Sequence, residues 1–457
     1  MLLTLLYVII AIVAVCFFVI HLKNRGISIG TTFHIVYLVY YFIIPPIMLI
    51  LLDYTSLLSL HIIRFDFISN TTEGARYRSF LLAVIGYVAF LVVFRKNILS
   101  EKTRLSSNDE RIYETSNLYS VLYRIGKIFA VIGIVSFCFV IYELGGVVSM
   151  LTIAGSLRGY NVDISGNFSA LGAMCLSMAG FLFGAAICLI SCRKKKKVGL
   201  WLAVVMLFLV FYLLYNQGRS PIVFFSVCVL YAYLKRRGVR ETKVIGLFFA
   251  VAIAVILGSG SLRAMLRSVS SGQMVEISTI DNIESILSDL SYPYANTLNV
   301  VGFIEKYGFR YFKDYLLWIP ELLPSRLFSM IGIHLPETQT MTEIVSYEYS
   351  KGLTYLGGVP VDFLTSGYFQ GGIFGLIINS LLVLYLLKKM DEIIESFPKE
   401  CAAIKLWICC TITLAAGINL DPCKLPLSYL YLFILIFILR KQAIRMGLYK
   451  RAFRLKW

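Results

Sequence analysis

Apolar residues run through this chain in long blocks, and clusters of Lys and Arg stand between alternate blocks. The blocks fall at about 1–21, 33–52, 77–94, 122–142, 169–192, 199–215, 220–234, 244–259, 366–387, 402–419 and 425–439. About 20 mostly apolar residues cross ~30 Å of hydrocarbon, so the pattern predicts eleven transmembrane helices. The basic clusters are Lys23 with Arg25, Arg95 with Lys96, Arg193 to Lys197, Lys235 to Arg237, Lys388 with Lys389, and the tail from Arg440 to Trp457. Loops rich in Lys and Arg stay in the cytoplasm. The C-terminus is therefore expected inside and the N-terminus outside.

Charge counting agrees with that topology. The cytoplasmic segments then hold 30 of the 43 Lys and Arg and only 9 of the 26 Asp and Glu. The first block, Met1 to Ile20, has no basic stretch before it and no small-residue cleavage pattern. It is expected to be retained as a span and not removed as a signal peptide. The organisation read from the pattern is spans one to eight over 1–259, a long external segment over 260–366, spans nine to eleven over 367–439, and a basic cytoplasmic tail over 440–457. Aromatic and apolar stretches of the long segment, such as Tyr311 to Pro320, suit short amphipathic helices on the membrane surface.

Composition sharpens the class. With 58% hydrophobic and 15% charged residues and a mean hydropathy of +0.79, the chain reads as an all-α polytopic membrane protein. The net charge of +17 does not point to nucleic acid, because the basic residues flank apolar blocks and serve as topological anchors. Eight of the ten cysteines lie in or beside apolar blocks, Cys401 sits in a basic loop and Cys423 outside both. They are expected to pack as small hydrophobes, with no disulfide framework and no metal site. Gly-rich nucleotide loops, HExxH and paired-Cys motifs are absent, which argues against an ATP-driven pump, and no cofactor is expected.

Basic residues on the external side need another explanation. The hairpin Asn216-Gln217-Gly218-Arg219-Ser220-Pro221 joins spans six and seven. Ser220 suits an N-cap and Pro221 the first helical position. Free N–H groups beside the Arg219 guanidinium would favour an anion such as phosphate, or Arg219 terminates a helix and snorkels to water. Arg263 and Arg267, four apart after span eight, share a face and either clamp an anionic group or cap a helix end. Arg158 is the lone basic residue of its loop, with glycines nearby and Tyr160 beside it. Arg310 and Arg326 lie in the long segment. Nine of the 13 external basic residues are Arg, against 13 of the 30 cytoplasmic ones. Arg offers the planar fork that phosphate recognition uses. His334, mid-way along the long segment, is a candidate general base, with Glu337, Glu343, Glu348 and Asp362 as rivals. His21, His34 and His61 read as residues at span ends and in a short loop.

Several stretches, taken with the many spans, the large external segment and the external Arg, are similar to a known family. They run from Tyr307-Gly308-Phe309-Arg310-Tyr311 through Ile319-Pro320-Glu321-Leu322-Leu323-Pro324-Ser325-Arg326. They continue to Gly357-Gly358-Val359-Pro360 and Gly367-Tyr368-Phe369-Gln370-Gly371-Gly372-Ile373-Phe374-Gly375, with Asn216 to Pro221 as a second piece. The chain resembles the O-antigen polymerases (Wzy-type), the oligosaccharide repeat-unit polymerases. That resemblance implies a GT-C-like glycosyltransferase of the bacterial inner membrane. Such an enzyme moves a growing glycan from undecaprenyl diphosphate onto a sugar hydroxyl of another lipid-linked repeat unit, with a chain-length-regulating co-polymerase as a possible partner. An O-antigen ligase and a flippase for lipid-linked sugars are the alternatives.

Overall fold

Uninterrupted apolar stretches with charges only at their ends bury their backbone polar groups best as helices, because no water is present in hydrocarbon to satisfy them. The computed structural model describes residues 1–53, 65–99, 115–150, 170–191, 199–216, 279–317, 339–350, 359–395, 401–423 and 425–445, with the single residues 225, 230, 258 and 268. Every regular element among them is helical. Five helices are long and apolar enough to cross a membrane: Leu2–Arg25, Ile29–Leu52, Glu73–Leu99, Ser120–Glu143 and Gly372–Glu395. Shorter apolar helices lie at Cys175–Ser191, Leu200–Leu213 and Ala402–Gly417. The chain is thus a multi-pass membrane protein. The expected spans 220–234 and 244–259 lie outside the described residues apart from single positions.

The chain divides into two units. The first comprises Met1–Lys102, Ile283–Glu395 and Cys409–Leu430, and the second the remaining residues. In the first unit, α1 (Leu2–Arg25) ends beside α2 (Ile29–Leu38), whose start is fixed by a Ser28/Thr31 capping box. A π turn (Val39–Ile43) and α3 (Ile44–Asp53) complete the second span. Pro45 and Pro46 carry no N–H, so the carbonyls of Tyr41 and Phe42 have no i→i+4 donor; the wider turn arises there. A short helix α4 (Phe65–Ser69) leads into α5 (Glu73–Leu99), which packs against α1 and against α12 (Gly372–Glu395). At one end of these spans, called here the basic end, Arg25 pairs with Glu395 at 3.8 Å, the Ile29 amide donates to Asp391 and Lys388 donates to the Val93 carbonyl.

In the second unit, α6 (Thr115–Glu143) and α7 (Ala170–Ser191) form a close pair, with α8 (Leu200–Asn216) packed against α7. Small residues set the separation: a Cβ on Gly126 would lie 2.9 Å from Ile190, and one on Gly133 3.1 Å from Phe183. This is the small-residue packing expected where lipid removes any hydrophobic drive between helices.

The segment 260–366 departs from expectation. Among its described residues, α9 (Thr279–Tyr307) is not a surface-lying helix: Ser291 to Asn296 are buried, and the Tyr292 hydroxyl donates to the Ile418 carbonyl. Tyr311 to Leu317, expected as part of an amphipathic helix, starts as a turn in which Tyr311 and Phe312 both have positive φ. The helix α10 (Met341–Ser350) follows. The ninth span, expected over 366–387, splits. The short α11 (Phe363–Phe369) ends at Gln370, and α12 starts afresh at Gly372. Gly371 and Gly372 take φ of 156° and 66°, which L side chains rarely adopt. A Cβ on Gly375 would stand 2.7 Å from the Gln370 carbonyl carbon, so only glycine lets the two helices fold back so tightly. The last two helices are α13 (Ala402–Gly417) and α14 (Leu425–Arg445).

Candidate functional site

Asp362 starts α11. Its backbone is extended and its Oδ1 accepts from the Leu364 and Thr365 amides, satisfying two of the donors that a helix start leaves free. Two further groups converge on it from far along the chain. The Tyr41 hydroxyl, carried by the π turn, donates to Oδ1 at 2.8 Å, and the Asn296 amide of α9 donates to Oδ2 at 3.3 Å. Asn296 also donates to the Pro360 carbonyl, and the Leu420 amide donates to the Val361 carbonyl. Asp362 is completely buried. Ser366 Oγ and Asn296 Oδ1, both buried, have no hydrogen-bond partner among the described residues.

The depth of this group follows from the second span. Tyr41 lies about 18 Å along the helix axis from Ile29 at ~1.5 Å per residue, near the middle of a bilayer ~30 Å thick. The irregular stretches Val359 to Asp362 and Ile418 to Cys423 therefore meet at membrane depth. Non-helical backbone is tolerated there only where protein or a polar cavity surrounds it.

A second cluster closes the turn after α9. The Arg310 fork bonds both Asp314 oxygens and the Gln339 carbonyl, and the Arg310 amide donates to the Phe369 carbonyl. Gln370 accepts from the Phe312 amide at 2.7 Å and donates to Asp314. Tyr315 bonds Asn379 of α12. Two residues in left-handed backbone cost of order 1–3 kcal/mol each unless their surroundings hold them, and here Gln370 and the buried ion pair do so. Tyr311 and Phe374 stand 73% and 81% exposed beside the turn.

The third cluster lies nearer the surface. Glu348 accepts from Tyr307 at 2.6 Å and pairs with Lys306. Partial burial works to raise Glu348, yet the hydrogen bonds from Lys306 and Tyr307 prevail and hold it below the usual carboxylate value. Glu343 accepts from the Thr340 amide at the start of α10, and Asp421 accepts from the Thr342 amide and hydroxyl.

The sequence candidates separate accordingly. Arg310 is buried and its fork is taken up by Asp314 and Gln339, so in this arrangement it braces the turn and does not present itself to a ligand. Glu343 and Glu348 are partnered as described, and Asp362 is the carboxyl with the most developed surroundings. Arg158, Tyr160, Arg219, Arg263, Arg267, Arg326, His334 and Glu337 lie outside the described residues. His21 and His34, read as unremarkable, are both fully buried with ring centroids 5.8 Å apart. The signal for that pairing was their place on either side of the short Gly26–Ser28 link. Among the described residues no three His, Cys, Asp or Glu side chains group as metal ligands. The cluster around Asp362 can hold a proton in a water-poor setting and release it to a hydroxyl partner. Comparison with protein-family models, with curated proteins and with solved structures finds no match to this chain.

Proposed function

We propose that the chain is a GT-C-like membrane glycosyltransferase with eleven spans, its N-terminus outside and its C-terminus in the cytoplasm. It polymerises undecaprenyl-diphosphate-linked repeat units into O-antigen or a similar surface polysaccharide on the outer face of the bacterial inner membrane. The observation that supports this reading most is the fate of the 260–366 segment. Its described part from Ile283 onward is folded into the first unit and supplies two buried polar clusters, one around Asp362 at membrane depth and one, Arg310 with Asp314, toward the end of the spans away from the basic clusters. Enzymes that work on lipid-linked sugars need such a polar platform beside the bilayer.

In the reaction, the acceptor sugar oxygen bonds to the anomeric carbon, the bond from that carbon to the diphosphate oxygen breaks, and the hydroxyl proton passes to a base. Arg219 and Arg263, with Arg158, Arg267 and Arg326 and aided by Tyr160, would offset the charge on the departing diphosphate. His334 or Asp362 would take the proton. The test is purified protein given a lipid-linked repeat unit in detergent. A ladder of longer glycans is expected, with its loss in Arg219→Ala and Arg263→Ala; no extension by well-folded wild-type protein would refute the reading. A ligase would instead transfer the glycan to a lipid A core acceptor supplied in the same assay.

One observation favours a second reading, a transporter for lipid-linked sugars. The described spans bury two histidines, and ionisable groups inside a membrane commonly mark transport paths. Movement of the lipid-linked unit across vesicles without extension would support it.

A further inference from the structure

A file of protonatable side chains runs through the first unit between the basic end and Asp362. His34, Tyr37 and Tyr41 stand three and four residues apart on one face of the second span. His21 of α1 stands beside His34, with ring centroids 5.8 Å apart. Tyr87 of α5 bonds His34 Nε2 through its hydroxyl at 2.8 Å. The Tyr37 ring lies 5.9 Å from that of Tyr87 and 4.6 Å from that of Tyr41, and the Tyr41 hydroxyl reaches Asp362. None of the six is more than 5% exposed. Phe18, Phe90 and Phe94 wall in the two imidazoles.

Packing alone does not account for this arrangement. Neither nitrogen of His21, nor Nδ1 of His34, has a hydrogen-bond partner among the described residues. Burying such groups without partners costs stability that a same-shaped apolar ring would not cost. His34 is also set up as a relay, with one nitrogen engaged by Tyr87 and the other free on the ring next to His21. Among the described residues, few ionisable groups face the file. Arg25 of α1 and Asp391, Lys388 and Glu395 of α12 gather at the basic end, and Tyr7 of α1 and Tyr294 of α9 flank the opposite side.

We propose that His21, His34, Tyr87, Tyr37, Tyr41 and Asp362 form a proton path, so that the mid-membrane carboxyl exchanges its proton with the basic-end side of the bilayer. Each tyrosine oxygen takes up one proton as it gives up another, and each imidazole receives at one nitrogen and releases at the other. Only O–H and N–H bonds change, and no electrons are transferred. The Tyr37 hydroxyl donates to the Ala83 carbonyl at 2.7 Å, and its O–H must turn from that carbonyl to pass a proton along the file. The path ends on Asp362, one of the two bases named above, but its test uses no sugar substrate, so its failure leaves the glycan reading standing.

The test follows the Asp362 carboxyl itself in the full chain reconstituted in vesicles of phosphatidylethanolamine and phosphatidylglycerol. Infrared difference spectra between acid and neutral pH should show a carboxylic C=O band that vanishes in Asp362→Asn. After transfer to D2O this band should move to its deuterated position, several-fold more slowly in Tyr37→Phe and Tyr41→Phe, which delete one oxygen and keep the ring. Tyr40→Phe, which sits beside Tyr292 and off the file, should leave the exchange rate unchanged. No band that depends on Asp362, or wild-type exchange rates in both tyrosine variants, overturns the proposal.

Discussion

Arg310 and Asp314 show how one residue's chemistry is decided by its neighbours. An Arg in a loop that faces the outside is a reasonable phosphate ligand when only its type is known. Here the carboxylate one helical turn away claims it, and both side chains are almost wholly buried. Removing one partner of such a pair leaves a buried charge uncompensated. Asp314→Ala is therefore expected to destabilise the protein by roughly 3–5 kcal/mol. The double variant Arg310→Leu with Asp314→Leu should recover most of that loss. Thermal unfolding in detergent measures both, and equal losses in the two variants would contradict the buried-pair reading.

Helices and turns were legible to different degrees. The spans expected at 1–21, 33–52, 77–94 and 122–142 correspond to helices of membrane-crossing length, because apolar run length is a local property. The break in the ninth span was visible only as Gly371-Gly372. Glycine alone does not say whether a helix kinks or turns back; that depends on Gln370, Asp314 and Phe312 meeting across the fold. The Asp362 site was hidden for the same reason. Tyr41 is 321 positions from its carboxylate partner, and spacing along the chain carries no signal of such a pairing. The α11–α12 turn gives the expectation at this scale. Gly375→Ala puts a methyl against Gln370 backbone that cannot move aside, and overpacking of this kind costs typically 1–3 kcal/mol. A lowered unfolding midpoint is expected, whereas Gly302→Ala, with open space around it, should change little.

For the whole molecule, the described helices establish a multi-pass protein, and the orientation proposed above rests on the basic clusters. Reporter fusions check it. A phosphatase active only outside the cytoplasm should work when fused within 260–366 and fail when fused after Lys197, after Arg237 or at Trp457. A fluorescent protein that matures only in the cytoplasm should give the complementary pattern. A phosphatase active at Trp457 would invert the proposed orientation, and with it the side from which Arg219 and Arg263 meet their ligand.

The meeting of irregular backbone at mid-membrane also bears on how the chain is made. Val361 takes its partner from Leu420, Thr342 from Asp421, and Tyr292 from Ile418. A growing chain released from the ribosome up to α12 has inserted its early spans, yet the segment around Asp362 still lacks the strand of backbone that completes it. Insertion into the bilayer must therefore run ahead of folding, and the centre of the first unit closes only after the penultimate helix has been synthesised. C-terminal truncation before Asp421 should thus leave a protein that is threaded through the membrane but open at its middle, the state that membrane quality-control proteases recognise.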